Sequence, residues 1–326
     1  MKRFFPLIIG YCLLSCSACV VFSGATSAEE YYTIGMAYFE LGKYGEAEIW
    51  LNKARLADKT KVASEYNLGR IAFETKRYTE AARYFDKILA RDPDNVMALK
   101  AAAYTRIKTG DLNAAEDLYN RVLALVPESA DDGYNYALVL YAMEKYDRAE
   151  MILSKYQFAL LENKDVLLLF ARTRRALHKP EAADSYAQWL EANTDPAVHY
   201  EYAQVLEEAE FYARALEEYR KVLTELPPNS KEPTKSSLHY TIGRLLLIAD
   251  AESEEGITEL ETAVTEGFTD TETLEALLEE ENLSEAHKDA IQGIIDKMKA
   301  HPTPEAAEPA ETESADTEQE EAGAAL

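Results

Sequence analysis

The histidines and carboxylates of this sequence are the first side chains to consider for chemistry. The five histidines are His178, His199, His239, His287 and His301. His199 and His239 occupy the same early place in two neighbouring amphipathic segments, which predicts packing or surface roles, with a metal-binding pair as the alternative. The sequence has no glycine-rich phosphate loop and no serine or cysteine in a nucleophile motif. Because the carboxylates are spread along predicted helix faces, we predict no enzyme, no cofactor and no metal.

The three cysteines, Cys12, Cys16 and Cys19, all lie near the start of the chain. The remaining sequence therefore has no thiol for a disulfide or a cysteine-based metal site, which fits export. A short basic start and an apolar run over residues 4–14 precede Ser15. This layout predicts a secretory signal peptide over residues 1–15.

The segment Leu13, Leu14, Ser15 and Cys16 resembles the bacterial lipobox, in which the cysteine thiol is diacylated and the chain is cut just before it. The resemblance implies lipid attachment at Cys16, with residues 16–27 as a tether. Cys19 is a second candidate. An ordinary cleaved signal or an uncleaved anchor is a further alternative, because residues 4–22 are about long enough to span a bilayer. Every alternative exports the chain, so we expect a bacterial envelope location, lipid-anchored and facing the periplasm or the cell surface.

Beyond the tether, a pattern of small residues recurs every 34 positions. An early small residue recurs as Gly35, Gly69, Ala103, Ala137 and Ala171, and a later alanine as Ala47, Ala81, Ala115, Ala149 and Ala183. Each repeat predicts two amphipathic helices, A and B, which must stack on neighbours to bury their apolar faces. The predicted starts are Ala28, Val62, Val96, Ala130, Lys164 and Pro196, and a weaker seventh repeat contains Gly243 and Gly256.

These positions resemble the tetratricopeptide repeat (TPR) family, whose motif combines an early Leu-Gly and Tyr, a middle Ala and Phe, and a late Ala and Pro. Leu68, Gly69, Ala81, Phe85 and Pro93 match it. The resemblance implies an all-α TPR solenoid of about seven helix–turn–helix repeats over residues 28–267. We expect capping helices over residues 268–300, because an array needs a polar-faced end. Residues 301–326 are acidic and contain proline, which predicts a disordered tail.

The composition limits the kind of partner. A net charge of −25 argues against nucleic acid and against broad adsorption on an anionic bilayer. A solvated helical surface accounts for the charge, and attraction of a basic partner is the alternative. With 21 tyrosines and only 13 glycines, the chain suits packed helices better than sheets with many turns.

The family resemblance also implies a concave binding face lined by set positions of each helix A. Here these positions hold aromatic residues interleaved with cations, namely Tyr32, Met36, Phe39, Tyr66, Arg70, Phe73, Lys100, Tyr104, Tyr134, Tyr141, Arg172, Arg175, Tyr200, Tyr240 and Arg244. Tyrosine offers amphipathic contact area and arginine binds carboxylates through paired hydrogen bonds, which suits a peptide with acidic groups. Alternatively, the tyrosines pack between A helices while the cations balance nearby glutamates.

The resemblance implies a docking scaffold. We expect a membrane-anchored TPR scaffold that mediates protein–protein interaction in the bacterial envelope, as an assembly or transport accessory. Its partner would be another envelope protein or a peptide segment, and the oligomeric state is not predicted. The alternatives are an accessory binding protein for a small anionic ligand, held by Arg70, Arg172 and Arg175, and a surface adhesin. A further hypothesis has the acidic tail mask the binding face, against a purely solubilising tail.

Overall fold

The computed structural model describes residues 27–156, 163–227, 230–280 and 282–300. Within these ranges there are sixteen helices and no strand, which confirms the all-α prediction. The helices are α1 Ala28–Glu40, α2 Tyr44–Ala54, α3 Asp58–Glu74, α4 Tyr78–Leu89, α5 Val96–Lys108, α6 Leu112–Leu125, α7 Ala130–Ala142, α8 Tyr146–Tyr156, α9 Lys164–Ala176, α10 Glu181–Leu190, α11 Pro196–Glu208, α12 Tyr212–Glu225, α13 Lys235–Ala249, α14 Glu254–Thr265, α15 Thr271–Leu277 and α16 Glu285–Ala300. The predicted signal peptide, Cys16, the tether up to residue 26 and the acidic tail lie outside the described residues.

Most predicted repeat starts coincide with the first residue of a helix A. Helix α3 differs, because it begins at Asp58, one turn before the predicted Val62. Asp58 places a carboxylate in the first turn, where the helix dipole favours negative charge. Thr60 adds a hydrogen bond of 2.5 Å from its hydroxyl to the Ala54 carbonyl, which fixes the added turn to the end of α2.

In the first six repeats, the turns between helix A and helix B have one backbone conformation. The left-handed residue of each turn is Gly42, Lys76, Gly110, Glu144, His178 or Glu210. In the first turn, the Gly42 amide donates to the Phe39 carbonyl and the Lys43 amide to the Tyr38 carbonyl, both at 2.9 Å. These bonds satisfy carbonyls that the end of helix A leaves open. Glycine adopts this conformation without strain, whereas other residues pay about 1 kcal/mol.

The described residues form two compact units, Met1–Pro93 and Asp94–Leu326, called unit 1 and unit 2 below. In unit 1, Leu51, Leu68 and Phe85 form the core between helices α1 to α4. The recurring small residue allows helix A to approach helix B closely. A Cβ atom added at Gly69 would lie 2.7 Å from the Phe85 ring, so a larger residue would push the helices apart.

The seventh repeat, in unit 2, has a closer helix crossing than the sequence suggested. A Cβ atom added at Gly243 of α13 would lie 2.9 Å from the carbonyl oxygen of Gly256 in α14. The two glycines therefore face each other, and they bring the two backbones together. What looked like a weak match to the repeat pattern is a tight helix pair.

Two helices follow the seventh repeat, as predicted. Leu274 of α15 and Ile291 of α16 are buried against Leu260 of the seventh repeat. Ser284 caps α16, since its hydroxyl accepts a hydrogen bond of 3.3 Å from the His287 amide. Helix α15 is short and ends at Leu277. Of the helices in the described ranges, none has both the length and the apolar character needed to cross a membrane.

Candidate functional site

The unit 1 surface consists of Tyr32, Met36 and Phe39 on α1 and Tyr66, Arg70 and Phe73 on α3, and the structure brings several of them together. The Asn67 side-chain amide donates to the Tyr32 hydroxyl at 3.1 Å. The Asn67 carbonyl oxygen accepts from an Arg70 guanidinium nitrogen, also at 3.1 Å. The guanidinium carbon of Arg70 lies 4.4 Å from the centre of the Phe39 ring, a cation–π contact. One continuous set of contacts thus joins α1 to α3.

The aromatic rings of the unit 1 surface are held rigidly by helix B residues. Phe39 contacts Tyr44 with ring centres 5.6 Å apart, and the same pair one repeat later, Phe73 and Tyr78, is 5.2 Å apart. The Tyr66 ring lies 5.7 Å from that of Phe85. The rings are half-buried, so they pack and still present a face to solvent. Such rings can contact a partner at little entropic cost.

Arg70 has no carboxylate partner among the described residues, although unit 1 is rich in glutamate. Its contacts are the Asn67 amide and the Phe39 ring. Asn67 is buried, so it holds the Arg70 guanidinium from the core side of the helix. The set of residues predicted from the repeat positions did not include Asn67. Asn67 lies three residues before Arg70, and this spacing places both side chains on one helix face. That spacing is the signal in the sequence that could have identified Asn67.

In unit 2 the predicted cations are paired with carboxylates. Lys100 pairs with Asp132, and Arg244 with Glu207. Arg172 binds Glu201 through two hydrogen bonds, of 2.9 Å from Nε and 2.7 Å from Nη2. For these residues the structure matches the alternative in which cations balance nearby acidic groups.

Arg175 of unit 2 also has partners in the following helix A. Its Nη2 donates to Gln204 at 2.9 Å and lies 3.3 Å from the Glu208 carboxylate. The Glu208 side chain is 54% exposed, so this second contact is screened by water. Arg175 is therefore held mainly by a neutral amide.

Glu201 joins Arg172 to a buried tyrosine. The Tyr186 hydroxyl donates to Glu201 at 2.8 Å, and burial raises the pKa of Tyr186. The hydrogen bonds that Arg172 donates to Glu201 raise the pKa of Arg172 above its ordinary value. The Tyr186 hydroxyl and the Arg172 guanidinium thus both donate to the Glu201 carboxylate, so this cluster offers no unpaired cation to a ligand.

A cleft of about 450 Å³ lies beside this cluster, between α7, α9 and α11. It is lined by Tyr141, Arg172, Arg175, Ala176, His178, Tyr186, Glu201 and Glu208. Its wall carries two arginines and two glutamates, so a free anion would meet a nearly balanced charge.

Family models described as tetratricopeptide repeat match residues 28–59, 72–131 and 168–230. The chain is a tetratricopeptide repeat protein. A TPR protein structure from Parabacteroides merdae ATCC 43184 is 22% identical to this chain, with a TM-score of 0.53. The match covers 82% of this chain and 100% of the Parabacteroides chain. YrrB, described as a TPR protein with an unusual peptide-binding site, is 19% identical, covering 60% and 98% with a TM-score of 0.51. A search of curated proteins gave no match.

Arrays of TPR repeats are generally non-catalytic interaction scaffolds, and at these identities the solved neighbours show the fold. The TPR protein also uses several predicted surface tyrosines for its own packing. Tyr240 stacks on Phe268 with ring centres 4.4 Å apart and donates to the Thr273 carbonyl at 3.1 Å. Burial raises the pKa of Tyr134, Tyr141, Tyr200 and Tyr240. Tyr104, by contrast, is exposed.

The two histidines of the TPR protein that lie at equivalent positions bind glutamates of the following helix. His199 Nδ1 lies 2.5 Å from Glu218, and His239 Nδ1 lies 2.5 Å from Glu259. Both histidines therefore have a packing role between helix A and helix B of their own repeats. Across the described ranges, no group of three histidine, cysteine or acidic side chains is arranged to hold a metal ion.

Proposed function

We propose that this TPR protein is an envelope scaffold that docks an extended peptide segment on the unit 1 surface and binds a carboxylate of that segment with Arg70. The observation that carries the proposal is the state of Arg70. It is positioned by Asn67 and Phe39 and has no carboxylate partner within the described chain. The other predicted cations whose contacts are described above already have intramolecular partners.

The energetics favour Arg70 as the point of contact. A carboxylate that binds Arg172 must first displace Glu201, whereas one that binds Arg70 displaces only water. The hydrogen bond that Arg70 donates to Asn67 limits the freedom of the guanidinium before a partner arrives, which lowers the entropic cost of binding. The half-buried rings of Tyr32, Phe39 and Phe73 supply apolar contact area on the same surface as the cation.

The likeness to YrrB supports a peptide as the ligand, because that protein is described as having a peptide-binding site. The N-terminal sequence supports the finer part of the proposal. A lipid on Cys16 would hold the array at an envelope membrane, facing the periplasm or the cell surface, and the partner would be another envelope protein. The function would then be an accessory role in assembly or transport.

The alternative, a binding protein for a small anion, has less support from the geometry. It depends on the cleft that contains Arg172 and Arg175, where Arg172 is paired with Glu201 and the Glu208 carboxylate would lie close to any bound anion. Titration with inorganic phosphate and with citrate tests it, and we expect no binding at millimolar ligand. The adhesin alternative is tested by protease treatment of intact cells, which would cleave the array only if it is displayed outside.

The peptide proposal is tested by selection from a random peptide library on the mature chain with Cys16→Ser. We expect selected peptides to share an acidic residue flanked by apolar ones. Arg70→Gln should weaken their binding about tenfold or more, since a charge-assisted hydrogen bond contributes about 1.5–3 kcal/mol. Arg83→Gln is the matched control, because it removes the same charge from an exposed site on α4 of the same unit. Peptides without acidic residues, or equal effects of both substitutions, would contradict the proposal.

The anchor is tested separately. Cells supplied with an alkyne-tagged fatty acid should label the protein, and Cys16→Ala should remove the label while Cys19→Ala keeps it. Labelling that follows Cys19 would move the anchor to that residue. Absence of label in every variant would contradict lipid attachment and leave the peptide surface untouched.

A further inference from the structure

Tyr31, Ile49, Trp50 and Lys53 form an amphipathic patch on α1 and α2, which we call the terminal aromatic patch. The rings of Tyr31 and Trp50 have centres 5.7 Å apart. Lys53 Nζ lies 4.3 Å from the centre of Trp50 and 5.6 Å from that of Tyr31. Ile49, one turn before Lys53 on the same helix face, is 58% exposed. None of these residues belongs to the unit 1 surface.

The next repeat buries the position of Tyr31, whereas the positions of Ile49 and Lys53 are exposed there. One repeat later, the equivalents of Tyr31 and Lys53 are Glu65 and Lys87, which form an ion pair of 2.7 Å with the Glu65 side chain 1% exposed. The equivalent of Trp50 is Tyr84, which packs against the core of unit 1 that α2 and α3 share. Within the described residues no helix precedes α1, and the rings of Tyr31 and Trp50 are half-buried.

The residue types on this face fit a lipid interface better than water. The end of a repeat array is normally polar. Tryptophan and tyrosine, with an apolar ring and one polar group, concentrate at the headgroup level of membranes, and a lysine stem extends its charge towards the phosphates. Lys53 pairs with no carboxylate in the described part of the chain, and it lies instead over the two rings.

The carboxylates nearest in sequence are mostly occupied. Glu30 accepts a hydrogen bond of 2.7 Å from the Ser27 amide, and Glu29 pairs with Lys59 at 2.7 Å. Glu46 shares the helix face of Ile49 and Trp50 and is the acidic group closest along that face. The patch thus combines apolar area with a cation that remains able to contact a phosphate.

We propose that the terminal aromatic patch lies against the headgroup region of the membrane to which a lipid on Cys16 anchors the chain. The inference rests on the proposed anchor. Cys16 and Ser27 are 11 positions apart, so the intervening chain spans at most about 40 Å. Tyr31 follows Ser27 by only one helical turn. The anchor therefore keeps the patch close to the bilayer, and contact would fix the orientation of unit 1.

At low lipid concentration the contact needs the anchor, because the patch is small and the protein is acidic. Four side chains do not hold a chain of net charge −25 at a dilute bilayer surface from free solution. A short tether raises the local concentration of the patch at the surface to the millimolar range, which converts a weak contact into a populated one. The contact should accordingly be absent from the unacylated chain at low lipid concentration.

Tryptophan fluorescence tests the proposal, since the chain has two tryptophans, Trp50 and Trp189. Trp189 is buried, and its Nε1 donates to the Lys164 carbonyl at 2.9 Å, so it serves as an internal reference. The acylated protein is purified from membranes and reconstituted into phosphatidylethanolamine–phosphatidylglycerol vesicles with or without brominated phosphatidylcholine. Brominated lipid should lower the Trp50 emission about twofold, as expected for a ring at the headgroup boundary, and should leave the Trp50→Phe variant unchanged.

Substitutions within the patch sharpen the test. Ile49→Ser and Lys53→Glu should each reduce the bromine-dependent quenching of Trp50 to the level of the Trp50→Phe variant. Met151→Ser, at a site in unit 2 that is 61% exposed, is the matched control and should have no effect. Equal emission from wild-type protein in brominated and ordinary vesicles would overturn the proposal.

Other occupants of the patch give different results. The N-terminal segment would be the occupant if Trp50 emission is blue-shifted without lipid and shifts to the red when Val20, Val21 and Phe22 are deleted. An emission that depends on protein concentration would show a second copy there. Either result would overturn the membrane contact.

The anchor and the patch can fail separately. Mass spectrometry of the N-terminal peptide reports acylation of Cys16. If Cys16 is acylated and Trp50 is not quenched, the anchor stands and the patch inference is wrong. If Cys16 is unmodified but the same protein, mixed with millimolar brominated vesicles, still shows quenching of Trp50, the patch inference stands and the anchor is wrong.

Discussion

Arg70 in unit 1 and Arg172 in unit 2 occupy the same position of the repeat, three periods of 34 residues apart, and their surroundings differ. Arg172 donates two hydrogen bonds to the Glu201 carboxylate, whereas Arg70 is held by the Asn67 amide and the Phe39 ring. In sequence, Glu201 follows Arg172 by 29 residues, and the position 29 residues after Arg70 is Leu99. The same residue type at the same helix position is thus structural in one unit and available for binding in the other.

The largest expected effect is on the stability of unit 2. Glu201→Ala leaves Arg172 and Tyr186 without their shared acceptor, which should lower the free energy of unfolding by about 2–3 kcal/mol. Urea denaturation in the Trp50→Phe background measures it, because Trp189 then reports unit 2 alone. Arg70→Gln should change the stability of unit 1 by less than about 0.5 kcal/mol, measured by hydrogen exchange of unit 1 peptides.

Glu208→Ala is the control for that experiment, since it removes the same group from a largely exposed site beside Arg175. We expect a loss below about 0.5 kcal/mol for this surface contact. If Arg70→Gln destabilised unit 1 as much as Glu201→Ala destabilises unit 2, the distinction between the two arginines would be lost.

The second prediction concerns stability at acidic pH, which should fall for the same reason in both units. Burial raises the pKa of Glu65, but the hydrogen bonds from Lys87 and Arg91 lower it by more than burial raises it. The net pKa therefore lies below the ordinary value of 4.5. Glu116 of unit 2 has the same balance, with Lys145 and Arg148 as donors. A carboxyl whose pKa is lowered by folding stabilises the protein above its unfolded pKa, and this contribution is lost as the pH falls through the folded pKa.

Glu65→Gln and Glu116→Gln should therefore each destabilise their own unit at pH 7, by about 1–2 kcal/mol, and weaken the loss of stability below pH 4.5. Urea denaturation between pH 7 and pH 3 for unit 2, with hydrogen exchange for unit 1, measures both. An unchanged acid dependence in either variant would show that its carboxylate does not contribute in this way.

The smallest expected effects are at the turns, which test whether the left-handed residue costs the same in both units. Lys76→Gly in unit 1 and Glu210→Gly in unit 2 should each raise the free energy of unfolding by about 0.5–1 kcal/mol, because glycine adopts the left-handed conformation without strain. Gly110→Ala should lower it by about 1 kcal/mol. Thermal unfolding measures these shifts, and a loss of stability on Lys76→Gly would contradict the account of the turns.

Much of the fold could be predicted from the period of the small residues. Gly69 and its equivalents have their spacing because helix A and helix B must approach at the same point in every repeat, and this is visible as a pattern. The start of α3 at Asp58 was not visible, because it depends on a local hydrogen bond from Thr60. The stacking of Tyr240 on Phe268 was also not visible, because it needs the chain after α14 to fold back onto α13.

The candidate site could be predicted only as a set of positions. The repeat period placed Arg70, Lys100, Arg172 and Arg244 on equivalent helix faces, but it could not tell which of them were already paired. The terminal aromatic patch was missed altogether. The position of Tyr31 is buried one repeat later, where Glu65 stands, so the partial exposure of Tyr31 depends on the helices packed beside it and not on its residue type.

The sequence by itself determined the helix pairs, their turns and their order, because these depend on contacts between residues less than one repeat apart. Only the tertiary structure decided which charges remain available, because an ion pair such as Arg172 with Glu201 joins side chains of separate helices and needs an approach of about 3 Å. A repeat pattern gives each residue its place along the helix, but the distance to a partner on the next helix depends on how the two helices pack.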